Sequence, residues 1–178
     1  MPDWIQSCVS VDVETAGPYP GRYALLSIGA CLATDTSQTF YVELQPDRED
    51  VDPGALAISG LSMQTLKQQG VPPAEAMEMF ARWLDNHVEG KPICVAFNAP
   101  FDWMFLNDYF HRYLDWNPFG HSALDTKALA MGALKKGWLE TGLVSVSTAL
   151  GEPLELAHNA LQDAQDQAEI FLALMDRL

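Results

Sequence analysis

Basic residues are scarce in this sequence. Only 10 Lys and Arg accompany 24 Asp and Glu among the 178 residues, which gives a formal net charge of −14 at pH 7. Proteins that grip long nucleic acids usually carry a basic surface, because contacts to phosphates dominate their affinity. The charge therefore argues against strong binding along a long duplex by this chain alone. The charge does not exclude an enzyme that acts on nucleic acid, because bound metal ions would reverse the local sign of the charge at its site. Short substrates, chain ends or a helper protein are then favoured.

Long apolar runs and cysteine motifs are also missing. Apolar stretches such as ICVAF are far shorter than the ~20 residues that cross a bilayer. The N-terminus MPDWIQSCVS has no basic segment followed by an apolar core, so we expect no signal peptide, no membrane association and a cytoplasmic protein. Cys8, Cys31 and Cys94 match no zinc motif and lie in apolar runs, so we expect reduced core residues.

The hydrophobic pattern predicts one domain over residues 1–178, built on a mixed sheet covered by helices. Strands are predicted at 5–13, 24–33, 38–44 and 93–97, with a short one in HSALDT. The first three are joined by short connections, including a turn at 34–37, which favours an antiparallel meander. No glycine-rich phosphate loop occurs. Ser62 is predicted as the N-cap of one helix and Pro72-Pro73 as the start of the next, and a loop is predicted at 135–142. The helices are predicted at 54–58, 63–69, from 72 onward, 101–114, 126–132, 146–150 and 159 to the end.

Two carboxylates, Asp12 and Glu14, lie two residues apart on the first predicted strand. Residues at this spacing share one face of a strand, so Val11 and Val13 are expected to point into the core. Neighbouring carboxylates repel one another unless a cation lies between them, and hard divalent ions prefer oxygen ligands. The apolar strands that follow make this a central strand, so the pair predicts a metal site more than a solvated face.

A third acidic residue, Asp102, directly follows the buried strand at 93–97 and opens a helix. The carboxyl ends of strands are where α/β folds place their ligand sites. Asp102 fits a third carboxylate of a metal site, and it fits equally an acid that complements the dipole at a helix N-terminus. The residue taken alone supports both interpretations.

His158 and Asp163 belong to the segment AHNALQDA, where the last predicted helix begins. Five helical residues rotate the chain by about 500°, so a wholly helical segment would point the two side chains apart. Both can serve one site only if His158 lies in the loop before the helix, which Pro153 permits. A histidine near a reactive water is a natural general base, because imidazole titrates near neutral pH. Taken alone, His158 would be interpreted as a capping or surface residue.

Together the motifs DxE, NxxFD and HxxxxD follow in this order across nearly the whole chain. This arrangement resembles the DEDDh (DnaQ-like) 3′-5′ exonuclease family, which includes ribonuclease T, oligoribonuclease and the proofreading subunit of polymerase III. ETAG is similar to the corresponding segment of ribonuclease T, AISGLS to the segment before the family's first long helix, and HNALQDA to its third motif. The resemblance implies an α/β, ribonuclease H-like fold, a mixed five-stranded sheet flanked by helices.

The resemblance also implies a metal-dependent hydrolase of phosphodiester bonds. In the family's pattern, His158 deprotonates the attacking water in a two-metal mechanism. The substrate would be the 3′ end of single-stranded or short DNA or RNA, and the product a nucleoside 5′-monophosphate. Relatives of this kind form dimers, so a homodimer is expected. The two ions, Mg²⁺ or Mn²⁺, would be held by Asp12, Glu14, Asp102 and Asp163.

The substrate pocket is implied by the same resemblance. Phe101 is expected to contact the terminal nucleotide, Asn98 and Thr15 to shape its pocket, and His158 to border it.

The sequence departs from the family outside its central motifs. Ser27 and Ser59 stand where many relatives have an acidic residue and a histidine. Asp125 matches an acidic position of the family, and we interpret it as a structural hydrogen-bond acceptor. The basic residues expected near a nucleic-acid path are Arg22, Lys127, Lys135 and Lys136, although adjacent lysines are most often an ordinary solvated pair.

Two other classes of function fit parts of the sequence. A metal-dependent phosphodiesterase or phosphatase acting on a nucleotide-like small molecule would suit the acidic surface. A non-catalytic ribonuclease H-like module that binds nucleic acid is the second class. The five intact site residues argue against such a module, because it has no need to keep mutually repelling carboxylates together.

Overall fold

The computed structural model describes residues 2–151, 153–154 and 157–178. Its strands are β1 (Cys8–Thr15), β2 (Leu25–Leu32), β3 (Asp35–Glu43), β4 (Ile93–Ala96) and β5 (Ala123–Asp125). Its helices are α1 (Pro53–Ser59), α2 (Met63–Gln69), α3 (Pro73–His87), α4 (Pro100–Leu114), α5 (Thr126–Leu134), α6 (Leu143–Leu150) and α7 (Ala160–Met175).

The five strands form one mixed sheet in the order β3-β2-β1-β4-β5. Strands β1, β2 and β3 pair antiparallel, which confirms the predicted meander. Strands β4 and β5 run parallel to β1. The carboxyl ends of β1, β4 and β5 therefore reach the same edge of the sheet, where α/β folds place their ligands.

Helices cover the two faces of the sheet. Val9, Val11 and Val13 belong to a core that includes the buried aromatic residues Phe80 and Phe105 of α3 and α4. Helix α7 packs on β1 and β2. The alternation along β1 sends Val11 and Val13 into the core as predicted, and leaves Asp12 and Glu14 on the opposite face.

Gly29 of β2 sets how closely α7 approaches the sheet. A Cβ atom at this position would overlap the backbone of Ala160 and Leu161, where α7 begins. Gly29 is also the register partner of Asp12 on β1. The missing side chain therefore lets α7 bring its first turn next to Asp12.

Several predicted boundaries are wrong by a few residues. Residues Asp3–Ser7 form a 3-10 helix with Ile5 fully buried, so β1 begins at Cys8. Strand β3 begins at Asp35, inside the predicted turn. A 3-10 turn, Trp138–Glu140, lies within the predicted loop. Helix α6 begins at Leu143 with Gly142 as its N-cap, earlier than the predicted start at residue 146.

Two other local predictions, on Ser62 and on the cysteines, are confirmed. The Ser62 side chain accepts a hydrogen bond from the Thr65 backbone N–H, so Ser62 is the N-cap of α2. All three cysteines are free and fully buried. Within the described ranges, no helix is both long and apolar enough to cross a bilayer.

Candidate active site

A cavity of about 200 Å³ opens at the carboxyl edge of β1 and β4. It brings together side chains from the three segments that carry the sequence motifs. The lining residues are Asp12, Val13, Glu14, Phe97, Asn98, Phe101, Asp102, His158 and Asp163.

Three carboxylates are close enough to share a cation. Asp12 and Glu14 extend from β1, and Asp163 from the first turn of α7. Each offers an oxygen, and these oxygens all lie within 4.8 Å of one another. Oxygens bound to one Mg²⁺ or Ca²⁺ ion at roughly 2.0–2.6 Å lie within about 5 Å of one another. The donor set and its spacing fit a hard divalent ion.

Asp102 lines the same cavity but lies outside this group of three. It is buried in the first turn of α4, and its Oδ1 accepts a hydrogen bond of 3.1 Å from the Val13 backbone N–H. This bond fixes α4 against β1. The structure thus combines the two interpretations that the sequence left open, because Asp102 lies at a helix N-terminus and faces the site.

Burial and mutual repulsion shift the acidity of this cluster. Burial, reinforced by Asp102, Glu14 and Asp163, raises the pKa of Asp12 well above its usual value. Burial and then the Asp163 charge raise the pKa of Glu14 to about 7, and burial raises the pKa of Asp102 to about 8. Burial also raises the pKa of Asp163.

No lysine or arginine side chain from the described residues lines this cavity. Positive charge for the ionised carboxylates must therefore come from elsewhere. Burying an unpaired charge is costly, and bound cations relieve this cost most directly.

His158 lies in the loop before α7, and Asp163 lies on the helix. Asn159 is the N-cap of α7, and its side chain accepts a hydrogen bond of 3.1 Å from the Gln162 N–H. His158 is exposed and has a φ of 52°, which is uncommon for a residue with a side chain and is often found at functional sites. Asp163 Oδ1 accepts a bond of 3.2 Å from the Ala157 N–H, which ties the loop to the helix.

Gln167 is a site residue that the sequence did not reveal. It is buried on α7, and its Nε2 donates to Asp12 Oδ1 at 2.8 Å. Its Oε1 accepts from the Phe97 N–H at 2.9 Å. One signal was available, because Gln167 lies four residues after Asp163 and so shares its helix face.

Asp125 acts as the hydrogen-bond acceptor that its position suggested. Its Oδ1 accepts from the backbone N–H groups of Asn98 at 3.0 Å and Ala99 at 3.3 Å. These two hydrogen bonds fix the turn after β4, where Asn98 has a φ of 63°. Asp125 therefore holds the cavity wall formed by Asn98 and Phe101 rather than lining the cavity.

Two other predicted positions lie beside the cavity without entering it. Thr15 is buried and its hydroxyl donates to the Gly17 carbonyl at 2.8 Å, so the structure does not bring this side chain among the lining residues. A substrate contact by Thr15 stays a prediction. Ser27 is buried as the register partner of Glu14, where an acidic residue would add another negative charge.

Comparisons of sequence identify a matching family model and related proteins. The family model of the 3′-5′ exoribonuclease Rv2179c-like domain matches residues 7–175. The 3′-5′ DNA exonuclease Cap18 of Escherichia coli is 44% identical over 172 residues, which cover 96% of this chain and 91% of that protein. Ribonuclease T of Baumannia cicadellinicola subsp. Homalodisca coagulata is 32% identical over 184 residues, covering 95% and 83%.

Solved structures share the fold at low sequence identity. The nuclease domain of 3′hExo, a DEDDh family member bound to rAMP, superposes with a TM-score of 0.77 at 14% identity, covering 95% of this chain and 92% of that one. Zinc-bound E. coli exonuclease I with single-stranded DNA gives 0.73 at 21%, covering 96% of this chain and 40% of that one. The Mg²⁺- and Mn²⁺-bound Pop2p of S. pombe gives 0.65 at 18%, covering 93% and 81%. These likenesses confirm the predicted ribonuclease H-like fold of the DEDDh exonucleases.

Proposed function

The chain belongs to the 3′-5′ exoribonuclease Rv2179c-like domain family, and we propose that it removes nucleoside 5′-monophosphates from the 3′ ends of single-stranded DNA. The observation that carries the proposal is the close approach of the carboxylate oxygens of Asp12, Glu14 and Asp163 within 4.8 Å. Hydrolysis of a phosphodiester needs positive charge beside the phosphate, and such a cluster is suited to hold it as divalent cations.

We propose that Asp12, Glu14, Asp102 and Asp163 hold two Mg²⁺ or Mn²⁺ ions. When bound, the ions would offset the charge of the phosphate and stabilise the attacking and leaving oxygens of an in-line displacement. The protein's own part is to hold these carboxylates in place through hydrogen bonds. Asp102 is held by the Val13 N–H, and Asp163 by the N–H of Ala157.

His158 is proposed as the general base that takes the proton of the attacking water. It lines the cavity that holds the carboxylates and is exposed to solvent, so water reaches it. The Asn159 cap and the bond from Ala157 to Asp163 define where the loop meets the helix. Asp163, which is proposed as a metal ligand, would thus also help to position His158.

The apolar side of the cavity is proposed to receive the terminal nucleotide. Phe101 is partly exposed there and lies 5.6 Å from the Phe105 ring, centroid to centroid, which supports its orientation. An aromatic ring can stack on any of the bases, so this contact does not depend on the nucleotide sequence. Asn98, fixed by Asp125, forms the neighbouring wall.

We propose DNA rather than RNA as the preferred substrate because of the 44% identity with the E. coli DNA exonuclease across almost the whole of both chains. The family description names an exoribonuclease and so makes RNA the competing substrate. The net charge of −14 favours single strands and chain ends over long duplexes.

A cytoplasmic location is a further proposal, supported by the likeness to other nucleases. A homodimer is another, carried by the resemblance to ribonuclease T and oligoribonuclease. The homodimer predicts a particle of about twice the 19.7 kDa chain mass in light scattering. A monomer over the working concentration range would overturn it.

The activity is tested with 3′-end-labelled single-stranded DNA, RNA of the same sequence, and p-nitrophenyl thymidine 5′-monophosphate, each with Mn²⁺ and with EDTA. We expect Mn²⁺-dependent release of mononucleotides, fastest from DNA. Turnover of the small ester without turnover of either strand would instead favour the small-molecule phosphodiesterase. Hydrolysis of none of the three would contradict both.

A further inference from the structure

Three lysines and a tryptophan form a surface patch on and after α5, which we name the Lys–Trp patch. Lys127 lies in α5, Lys135 and Lys136 follow it, and Trp138 lies in the next turn. Lys127 Nζ lies 4.0 Å from the centroid of the Trp138 ring, and Lys136 Nζ donates to Ser145 Oγ at 3.3 Å. Trp138 is 43% exposed, so much of its indole remains open to a partner.

No salt bridge between described residues neutralises the charge of this patch. The chain has only 10 basic residues, and three of them lie here. The salt bridges within the described ranges occupy four others: Arg22, Arg48, Lys67 and Arg112. Glu140, the acidic residue of the same turn as Trp138, instead accepts a hydrogen bond of 3.1 Å from the Gly137 N–H.

The start of α5, which carries Lys127, lies at the rim of the active-site cavity. One oxygen, Asp125 Oδ1, accepts hydrogen bonds from both the Asn98 N–H at 3.0 Å and the Lys127 N–H at 3.1 Å. Asn98 lines the cavity, so the start of α5 is held directly beside it. A strand whose 3′ end occupies the cavity would leave it near this rim.

We propose that the Lys–Trp patch binds the substrate strand on the 5′ side of the scissile bond. The lysines contact successive phosphates, and Trp138 stacks on a base. A cationic groove with an aromatic platform is the combination that binds single strands without reading their sequence. The inference rests on the proposed function, and it gives an otherwise acidic protein its means of holding a polyanion. The Lys135–Lys136 pair thereby gains a role beyond that of a solvated pair.

Binding of a single strand tests the patch independently of catalysis. The probe is a 5′-fluorescein DNA strand of roughly 16 nucleotides with hydrolysis-resistant phosphorothioate linkages at its 3′ end, followed by anisotropy across a salt series. The variants are Trp138→Ala and the double variant Lys135→Gln, Lys136→Gln. The chain offers a matched control in Lys91→Gln and Trp116→Ala, because these two residues line a separate cavity near the amino end of β4.

Trp138→Ala is expected to weaken binding about tenfold, and Trp138→Phe to restore most of it, because stacking needs only an aromatic face. The lysine double variant is expected to reduce the slope of log affinity against log salt by about 1.4, or ~0.7 for each lysine that no longer binds a phosphate. The control variants are expected to bind as the wild type does. Patch variants that bind like the wild type, or controls that lose as much affinity, would overturn the proposal.

A kinetic arm separates this inference from the proposed function. The ratio of kcat/KM for the long strand to that for p-nitrophenyl thymidine 5′-monophosphate is expected to fall about tenfold in Trp138→Ala, because the small ester does not reach the patch. An unchanged ratio would count against the patch. A wild-type protein that hydrolyses neither substrate would refute the proposed function, and the anisotropy result would still decide whether the patch binds DNA.

Discussion

Gln167 Nε2 donates a hydrogen bond of 2.8 Å to Asp12 Oδ1, while Oε1 of the same amide accepts from the Phe97 N–H at 2.9 Å. One buried side chain thus joins α7, β1 and the residue that follows β4. The bond occupies Oδ1 of Asp12 and fixes the rotation of the carboxylate. Asp12 is proposed as a metal ligand, and partners that orient such a ligand commonly control metal affinity.

Replacing Gln167 by leucine is expected to weaken Mn²⁺ binding about 10- to 100-fold, because Asp12 loses the group that orients it. The free energy of unfolding should also fall by about 1–3 kcal/mol, since the Phe97 N–H loses its buried partner. Titration calorimetry with Mn²⁺ and urea unfolding measure the two effects. Gln165→Leu is the matched control. It removes a hydrogen bond that a side-chain amide of the same helix donates to the Thr36 carbonyl, away from the cavity. Equal Mn²⁺ affinity in both variants would refute the positioning role.

The stability of the metal-free protein is expected to fall as the pH rises. The pKa of Glu14 is raised to about 7 and that of Asp102 to about 8, so between about pH 4 and 8 the folded state binds more protons than the unfolded state. Their contribution is greatest below pH 4 and is lost as the pH rises through these values. Thermal unfolding in EDTA at pH 5 and pH 8 measures the fall, which should be shallower in Glu14→Gln.

Because metal ligands must be deprotonated, the stabilisation by added Mn²⁺ should be larger at pH 8. A metal-free protein that is more stable at pH 8 than at pH 5, with no difference in Glu14→Gln, would contradict this account.

His158→Ala is expected to lower kcat by about 10²–10⁴-fold, the usual contribution of a general base. Its Mn²⁺ affinity should stay near that of the wild type, because His158 is assigned as base and not as ligand. Single-turnover kinetics and calorimetry separate the two roles. His121→Ala, at an exposed position outside the cavity, is the control. A large loss of Mn²⁺ affinity in His158→Ala would show that the assignment of roles is wrong.

Gly29→Ala is expected to destabilise the protein by about 1–3 kcal/mol or more and to reduce activity, because its Cβ would push α7 and Asp163 away from Asp12. Gly132→Ala makes the same chemical change in α5 with no atom within 4 Å of the added Cβ. That variant should gain about 0.5–1 kcal/mol from helix propensity. Chemical unfolding of both proteins measures the contrast. Similar effects of the two substitutions would show that the close packing of α7 is not required.

The parts of the site that follow local rules could be predicted from the sequence. A period of two placed Asp12 and Glu14 on the face of β1 opposite the core, and the rotation of a helix required His158 to precede α7. Asp125 was interpreted as a hydrogen-bond acceptor and bonds three backbone N–H groups. In each case the geometry depends on a few neighbouring residues.

The remaining features depend on contacts between distant segments or on local competition for hydrogen bonds. Gln167 reaches Asp12 only because Gly29 lets α7 approach the sheet. The Thr15 hydroxyl turns to the Gly17 carbonyl, an option that the following turn supplies and that strand periodicity does not describe. Residues 5–7 are predicted as the start of the first strand, yet they belong to a 3-10 helix in which Ile5 is buried.

The most direct test of the account is the fate of a 5′-labelled single-stranded DNA in Mn²⁺, measured for the wild type and for Asp12→Asn. The account predicts that the wild type shortens the strand stepwise from its 3′ end and releases nucleoside 5′-monophosphates. It predicts that Asp12→Asn keeps its fold and loses activity by about 10³-fold or more. Internal cleavage, release of 3′-monophosphates, or an Asp12→Asn protein as active as the wild type would contradict it.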